Sequence, residues 1–368
     1  MIPIPIAFVA GTAIILLILW DAFETVILPR SVIRLLRLSR VINSLIWPSW
    51  SALASHLTPD SRRERYLGFY GPISVILMLV IWATGLVFGF GLVSYGLGSP
   101  WILPQGRPTF WSDVYVSGTT LFTLGLGDVM PASGLTRCLL VVEAGTGLGF
   151  LAAGIAYLPV LYQSFSRREA QITLLDAWAG SPPSAVELLH RLAAANAVAE
   201  VQGFLKDWER WCAEVLEGHI SYTQVAYFRS QHGKQSWVAA LTAVLDVSTV
   251  VLVGIQGMPT WQARLTFAIA RHAAVDLSQV LNAPPRAGAR MDGERCDALV
   301  ATLERAGIRF EDAREASRRL EHLRRMYEPY VAGLSAALSM KLPAWVRDGV
   351  GQDNWESTPR RDRELTHL

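Results

Sequence analysis

Residues 66–97 run for 32 positions without one Asp, Glu, Lys or Arg. As a helix rising 1.5 Å per residue, such a run exceeds the roughly 30 Å hydrocarbon core of a bilayer. Two more runs accompany it. Residues 4–20 are uncharged for 17 positions, and residues 138–165 carry Glu143 as their sole charge. The first 165 residues hold nine basic and seven acidic side chains, whereas the remaining 203 hold 24 of each. A chain divided in this way reads as a membrane half followed by an aqueous half. The net charge of +2 argues against a general nucleic-acid binder. Cys138, Cys212 and Cys296 are too few and too scattered for a disulfide framework or an all-cysteine metal site.

Arginines set the expected orientation. Arg30, Arg34, Arg37, Arg40, Arg62, Arg63 and Arg65 separate the first two runs, and only Arg107 and Arg137 separate the second and third. The positive-inside rule makes the first loop cytoplasmic. The N-terminus is then outside, the third helix ends inside before Arg167 and Arg168, and the C-terminal half is cytoplasmic, at an inner or plasma membrane. The first run has no basic n-region and no small-x-small cleavage site before Asp21, so it reads as an uncleaved anchor. Arg30, Arg34, Arg37 and Arg40 share one helical stripe over residues 30–47, beside Val32, Leu35, Leu36, Val41 and Ile42. That pattern fits a basic amphipathic helix on the lipids of the inner leaflet, with a linker helix packed on the soluble domain as the alternative.

Between the second and third runs lies Phe110-Trp-Ser-Asp-Val-Tyr-Val-Ser-Gly-Thr-Thr-Leu-Phe-Thr-Leu-Gly-Leu-Gly-Asp128. Residues 111–122 make a helix of roughly 18 Å, too short to span, so the segment is expected to enter the bilayer and return. Non-helical backbone at that depth is tolerated only inside protein or along a water-filled path. Gly125 and Gly127 allow backbone angles of alternating sign over Thr123, Leu124, Gly125, Leu126 and Gly127, which turns successive carbonyls to one side. Four such strands around an axis would form oxygen rings able to replace an ion's hydration shell. One chain supplies one strand, so a homotetramer is expected.

The Thr123-Leu-Gly-Leu-Gly-Asp128 stretch resembles the Thr-Val-Gly-Tyr-Gly-Asp filter of the pore-loop potassium channels. Thr119 and Thr120 precede it within a helix–pore–helix arrangement, and the resemblance covers about residues 68–165. It implies that Thr123 contributes hydroxyl and carbonyl, that Leu124, Gly125, Leu126 and Gly127 contribute carbonyls to potassium ions, and that Asp128 stands at the outer mouth. Two residues depart from the family pattern. Leu126 replaces an aromatic whose hydroxyl braces the filter, and Phe122 replaces a threonine. In the third helix Gly147 lies at the family's distance for a bending point; close helix packing is the other reading of Gly145, Gly147 and Gly149. Glu143, alone in an apolar run, is expected to brace the filter from behind, with the hydroxyls of Thr119 and Thr120 as partners; a carboxyl satisfied within its own helix or by a neighbouring one, without effect on conduction, is the other reading. Asp21 and Glu24 are expected at the interface, pairing with Arg30 or lipid.

The fold class expected is therefore an all-α membrane protein: three transmembrane helices, a re-entrant pore helix and filter loop, and an α-helical cytoplasmic domain. Its parts are an N-terminal span (1–29), an amphipathic linker (30–65), a pore domain (66–166), a helical regulatory domain (167–346) and a disordered tail (347–368). In the regulatory domain, Ser184 and Glu187 form a capping box opening one helix to about Glu217. Residues 237–258 form a buried central helix, and two charged helices cover about 292–305 and 311–327. No nucleotide-binding fingerprint or P-loop is present, and no organic cofactor is expected. His272 with Asp276 forms at most half a metal site, and Arg229, His232 and Lys234 make a small basic cluster whose simplest reading is surface charge, with anion binding as the alternative. The regulatory ligand is not identified. The function expected is a channel and not an enzyme, with potassium as leading ion. The alternatives are a weakly selective monovalent cation channel and a non-conducting membrane scaffold.

Overall fold

The computed structural model describes residues 3–28, 38–232, 234–288, 290 and 293–345. Arg30, Arg34 and Arg37 of the basic stripe, and the tail from 347, lie outside the described residues. Among the described residues the protein is all-α apart from one clip of two-residue strands and an isolated bridge between Ile255 and Phe310. Its helices are α1 (Ile4–Val26), α2 (Leu38–Ser55), α3 (Asp60–Gly68), α4 (Tyr70–Gly96), α5 (Phe110–Leu121), α6 (Gly134–Ala179), α7 (Ala185–Ala194), α8 (Val201–Ser221), α9 (Trp237–Leu252), α10 (Trp261–Val280), α11 (Gly293–Arg305), α12 (Ala313–Arg325) and α13 (Glu328–Leu338). Among the described residues three helical stretches are long and apolar enough to cross a membrane: Ile4–Val26, Asp60–Gly96 and Gly134–Ala179. The chain divides into two units, residues 1–49 with 72–163 and residues 50–71 with 164–368.

In the first unit, glycine lets helices meet backbone to backbone. A Cβ on Gly11 of α1 would stand 2.5 Å from the carbonyl oxygen of Gly89 in α4, so neither α1 nor α4 could keep its path with a side chain there. Close approach of this kind holds apolar helices together where lipid removes the hydrophobic drive. Leu86 and Phe90 of α4 pack on Leu121 of α5, with Ile15, Ile18, Leu139 and Phe150 around them. Asp21 accepts the indole N–H of Trp82 at 2.8 Å and the Leu38 amide at 3.0 Å. It therefore fastens α1 to α4 and to the start of α2 among the described residues, where the sequence suggested Arg30 or lipid. Beyond α4, β1 (Trp101–Ile102) pairs antiparallel with β2 (Met130–Pro131). The Trp101 indole and the Ser99 hydroxyl both donate to the buried Asp113, in the first turn of α5, at 2.6 and 2.7 Å. A carboxylate there also meets the positive end of the helix.

α6 corrects the expectation that the third helix stops before Arg167. It runs for 46 residues, roughly 69 Å, and ends at Ala179. Charge ends the apolar run but not the helix, because Arg167–Ala170 are good helix formers.

The second unit is built around α9, which is buried along nearly its whole length. Ser236 caps it by accepting the Ala239 amide at 3.1 Å. The single helix expected from Ser184 to Glu217 is two. Ser184 does cap α7 through the Glu187 amide, but Asn196 at φ +53° takes the left-handed conformation that ends a helix, and α8 begins anew. α13 was not read from the sequence. The one buried carboxylate of α9, Asp246, is met by Arg290 through two hydrogen bonds of 2.8 and 2.9 Å and by the Tyr327 hydroxyl at 2.6 Å. Arg290 also forks onto Glu328 at 2.7 and 2.8 Å. Burial alone works against the Arg290 charge, but the carboxylates outweigh it and raise its pKa well above the ordinary arginine value.

Candidate functional site

The site grows from the C-terminal end of α5. At the helix start the Thr109 amide donates to the Ser112 hydroxyl at 3.2 Å, and Thr109 serves as the N-cap. At the end the chain leaves the helix without losing its hydrogen bonds. Thr123 donates its amide to the Thr120 carbonyl at 2.9 Å, and Leu124 donates to the Thr119 carbonyl at 2.7 Å. Thr123 and Leu124 are thus hung from the α5 terminus by backbone hydrogen bonds. The Thr119 hydroxyl turns back to the Val116 carbonyl at 3.0 Å.

Thr123, Gly125 and Gly127 have φ of +58°, +54° and +76°, and Leu124 and Leu126 between them do not have positive φ. Such alternation lets neighbouring carbonyls of a non-helical segment share a side, whereas in a regular strand they alternate. Glycine takes the strained angles at two of the three positions, and Thr123 takes the third. Leu124 and Leu126 are 62% and 63% exposed within one chain, so no side chain of the same chain covers this segment.

Three side-chain features surround it. Tyr115, two turns back on α5, donates its hydroxyl to Asp128 at 2.9 Å. The chain just after Gly127 is thereby tied to the helix that precedes the segment. Glu143 of α6 is 1% exposed and accepts from the Ser117 hydroxyl. The expected partners were Thr119 and Thr120; the rotational phase of α5 gives Ser117 the face toward α6 instead. At Gly147 a side chain would collide with the Leu121 carbonyl, the last residue of α5. Gly147 is therefore the point at which the α6 backbone packs directly against the end of α5. Gly145 and Gly149 have open space around them. The sequence missed Tyr115 and Ser117; polar side chains four and two residues ahead of Thr119 in a largely apolar helix were the available signal.

Elsewhere, His272 and Asp276 form an exposed pair at 2.9 Å on α10. Among the described residues no group of three or more His, Cys, Asp or Glu side chains is placed to hold a metal ion. In the second unit, Arg168 of α6 is buried and donates to the Val225 and Phe228 carbonyls at 3.0 and 2.9 Å and to His219 at 3.1 Å. Burial, with the Arg168 charge beside it, lowers the His219 pKa to about 3 against the pull of the Val215 carbonyl. The neutral ring then donates from Nδ1 to Val215 and accepts from Arg168 at Nε2.

A short helix hung between two spanning helices, followed by backbone of alternating handedness, defines a pore-loop module. Residues 75–163 match a family described as ion channel, which fits a pore-loop channel module over that stretch. The chain is also similar to the uncharacterized membrane protein YdjJ of Bacillus subtilis (strain 168), 22% identical over 224 residues. That alignment covers 59% of this chain and 62% of the relative's length. No solved structure matches the chain.

Proposed function

We propose that the chain is one subunit of a homotetrameric channel that conducts potassium passively through Thr123–Gly127. The observation that carries this reading is the alternation of φ at Thr123, Gly125 and Gly127 in a segment anchored to α5 by backbone hydrogen bonds. Carbonyls turned to one side offer oxygen ligands of fixed position, and four copies would enclose an ion that one cannot. Asp128, held by Tyr115, would stand at the outer mouth. Glu143 with Ser117 would brace α5 against α6 behind the filter. Gly147 would let α6 bend as the gate, and residues 164–368 would set how often it opens. By the arginine distribution the N-terminus faces outward and the C-terminal half the cytoplasm.

Leu126 and Phe122 favour one second reading, a cation channel of weaker selectivity, because neither supplies the hydroxyl found in the resembling filters. The assembly is tested by particle imaging of the purified full chain in detergent. Four-fold particles are expected, and a monodisperse monomer or dimer would overturn the proposal. Thr123→Ala removes one ring of hydroxyls while leaving the carbonyls, so conduction should persist with weaker ion occupancy.

A further inference from the structure

The second unit contains a cleft of about 420 Å³, within the range of small-ligand sites. It is lined from three separated stretches: α3, the segment 229–236 and residues 340–341. Four permanent cations line it, Arg65, Arg229, Lys234 and Lys341, along with His232 and one carboxylate, Glu64. The basic cluster that reads as ordinary surface charge in the sequence is therefore gathered with a further arginine and lysine around one concave space.

The cations are incompletely balanced. Lys341 is paired with Asp60 on the surface. The Arg229 side chain is only 7% exposed, while Glu64, its carboxylate at 3.4 Å, is 47% exposed. Arg229 spends its other donors on the Leu338 and Ser339 carbonyls at the end of α13. Burial, and then the nearby Arg63 charge, lower its pKa to about 10 although Glu64 opposes them. The Arg63 Nε and the Ser230 hydroxyl are buried with no hydrogen-bond partner among the described residues. The N-cap of α9, Ser236, forms another part of the wall, so the positive end of that 16-residue helix adds to the same field. Cations, an unused hydroxyl and a helix N-terminus converging on one concavity favour an anion that accepts several hydrogen bonds.

We propose that this cleft binds a phosphate group, carried either by a soluble phosphate compound or by a lipid headgroup. Arg65 and Lys234, both exposed, meet the phosphate oxygens as mobile charges, and Ser230 donates from the wall. Arg229 keeps its grip on α13 and supplies field. The occupied cleft also fixes the segment that begins at Phe228, whose carbonyl accepts from Arg168 of α6 at 2.9 Å. An effect of the ligand on conduction rests on the channel reading above; the binding itself does not.

The test is calorimetric titration of the full chain in detergent with inorganic pyrophosphate and, separately, with dioctanoyl phosphatidic acid, using dioctanoyl phosphatidylcholine as control. One of the two phosphates should bind, and Arg65→Gln with Lys234→Gln should weaken it about tenfold or more. Ser230→Ala, which leaves every charge in place, should weaken it less. Both variants should keep the wild-type circular dichroism and elution volume, since among the described residues neither Arg65 nor Lys234 is hydrogen-bonded or ion-paired to another element. Pyrophosphate binding without phosphatidic acid binding assigns a soluble ligand. Phosphatidic acid binding alone, or its displacement of pyrophosphate, assigns a lipid headgroup. Binding of neither, equal binding of the phosphatidylcholine, or unchanged affinity in the double variant overturns the proposal.

Discussion

The two units solve opposite problems of polar groups in apolar surroundings. Around Thr123–Gly127, position is set by backbone: amides of Thr123 and Leu124 on the α5 carbonyls, positive φ at three alternate residues, and a glycine where α6 crosses Leu121. Around α9, position is set by charged side chains: Arg290 joins Asp246 to Glu328 across 44 and 38 residues of chain. Backbone can present a row of oxygens without committing any of them to a neighbour. A buried charge must be committed to a partner, because alone it costs several kcal/mol. The first arrangement suits a site that has to release what it binds, and the second suits a scaffold that holds still.

That contrast can be broken first at Arg290. Arg290→Met leaves Asp246 and Glu328 buried without their cation and should cost about 3–5 kcal/mol, read by denaturant unfolding of the purified chain. Unchanged stability would show that the charges are not the scaffold. The corresponding change near the filter is Gly147→Ala, which adds one methyl group against the Leu121 carbonyl. It should cost about 1–3 kcal/mol as overpacking and abolish conduction, although no charge is altered. Conduction at the wild-type level would show that α6 does not press on the filter's anchor.

Acid sharpens the comparison from the side of the second unit. The folded-state pKa of His219, about 3, lies below its ordinary value of 6.5, so the unfolded chain binds the proton more readily. Stability from the neutral ring is complete above about pH 6.5 and is lost as pH falls toward 3. The slope approaches 1.4 kcal/mol per unit, or about 2 kcal/mol by pH 5. In His219→Gln this part of the acid dependence should vanish, and an unaltered profile would remove His219 from the account. The smallest effect is expected at Glu143. Glu143→Gln keeps an acceptor for Ser117, whereas Glu143→Leu strands the hydroxyl and should cost about 1 kcal/mol with shorter open times. Equal open times in the two variants would show that the contact does not brace the filter.

What the sequence revealed and what it hid follow the same division. The spans, the short helix and the glycines at 125 and 127 were legible because length, hydropathy and spacing are local properties. Ser184 and Ser236 were legible as helix starts for the same reason. The partner of Asp246 was not legible, because Arg290 lies 44 residues away in a loop with no periodicity to place it. Nor was Ser117 distinguishable from Thr119 and Thr120, since choosing among three hydroxyls on one helix requires its rotational phase. The continuation of α6 to Ala179 was hidden by a change of solvent that hydropathy registers and helix geometry does not. The break at Asn196 was hidden because alanines surround it and favour helix on both sides.

The central claim is that alternating backbone at Thr123–Gly127 forms an ion path. Its most direct test is flux into liposomes reconstituted with the full chain, under a potassium gradient and then a sodium gradient, beside Gly125→Ala. A Cβ at φ +54° is strained, so the substitution should disturb the carbonyl row and little else. The account predicts potassium flux well above sodium flux in the wild type and a loss of both in Gly125→Ala. Wild-type flux no greater than that of protein-free vesicles, or undiminished flux in Gly125→Ala, would contradict it.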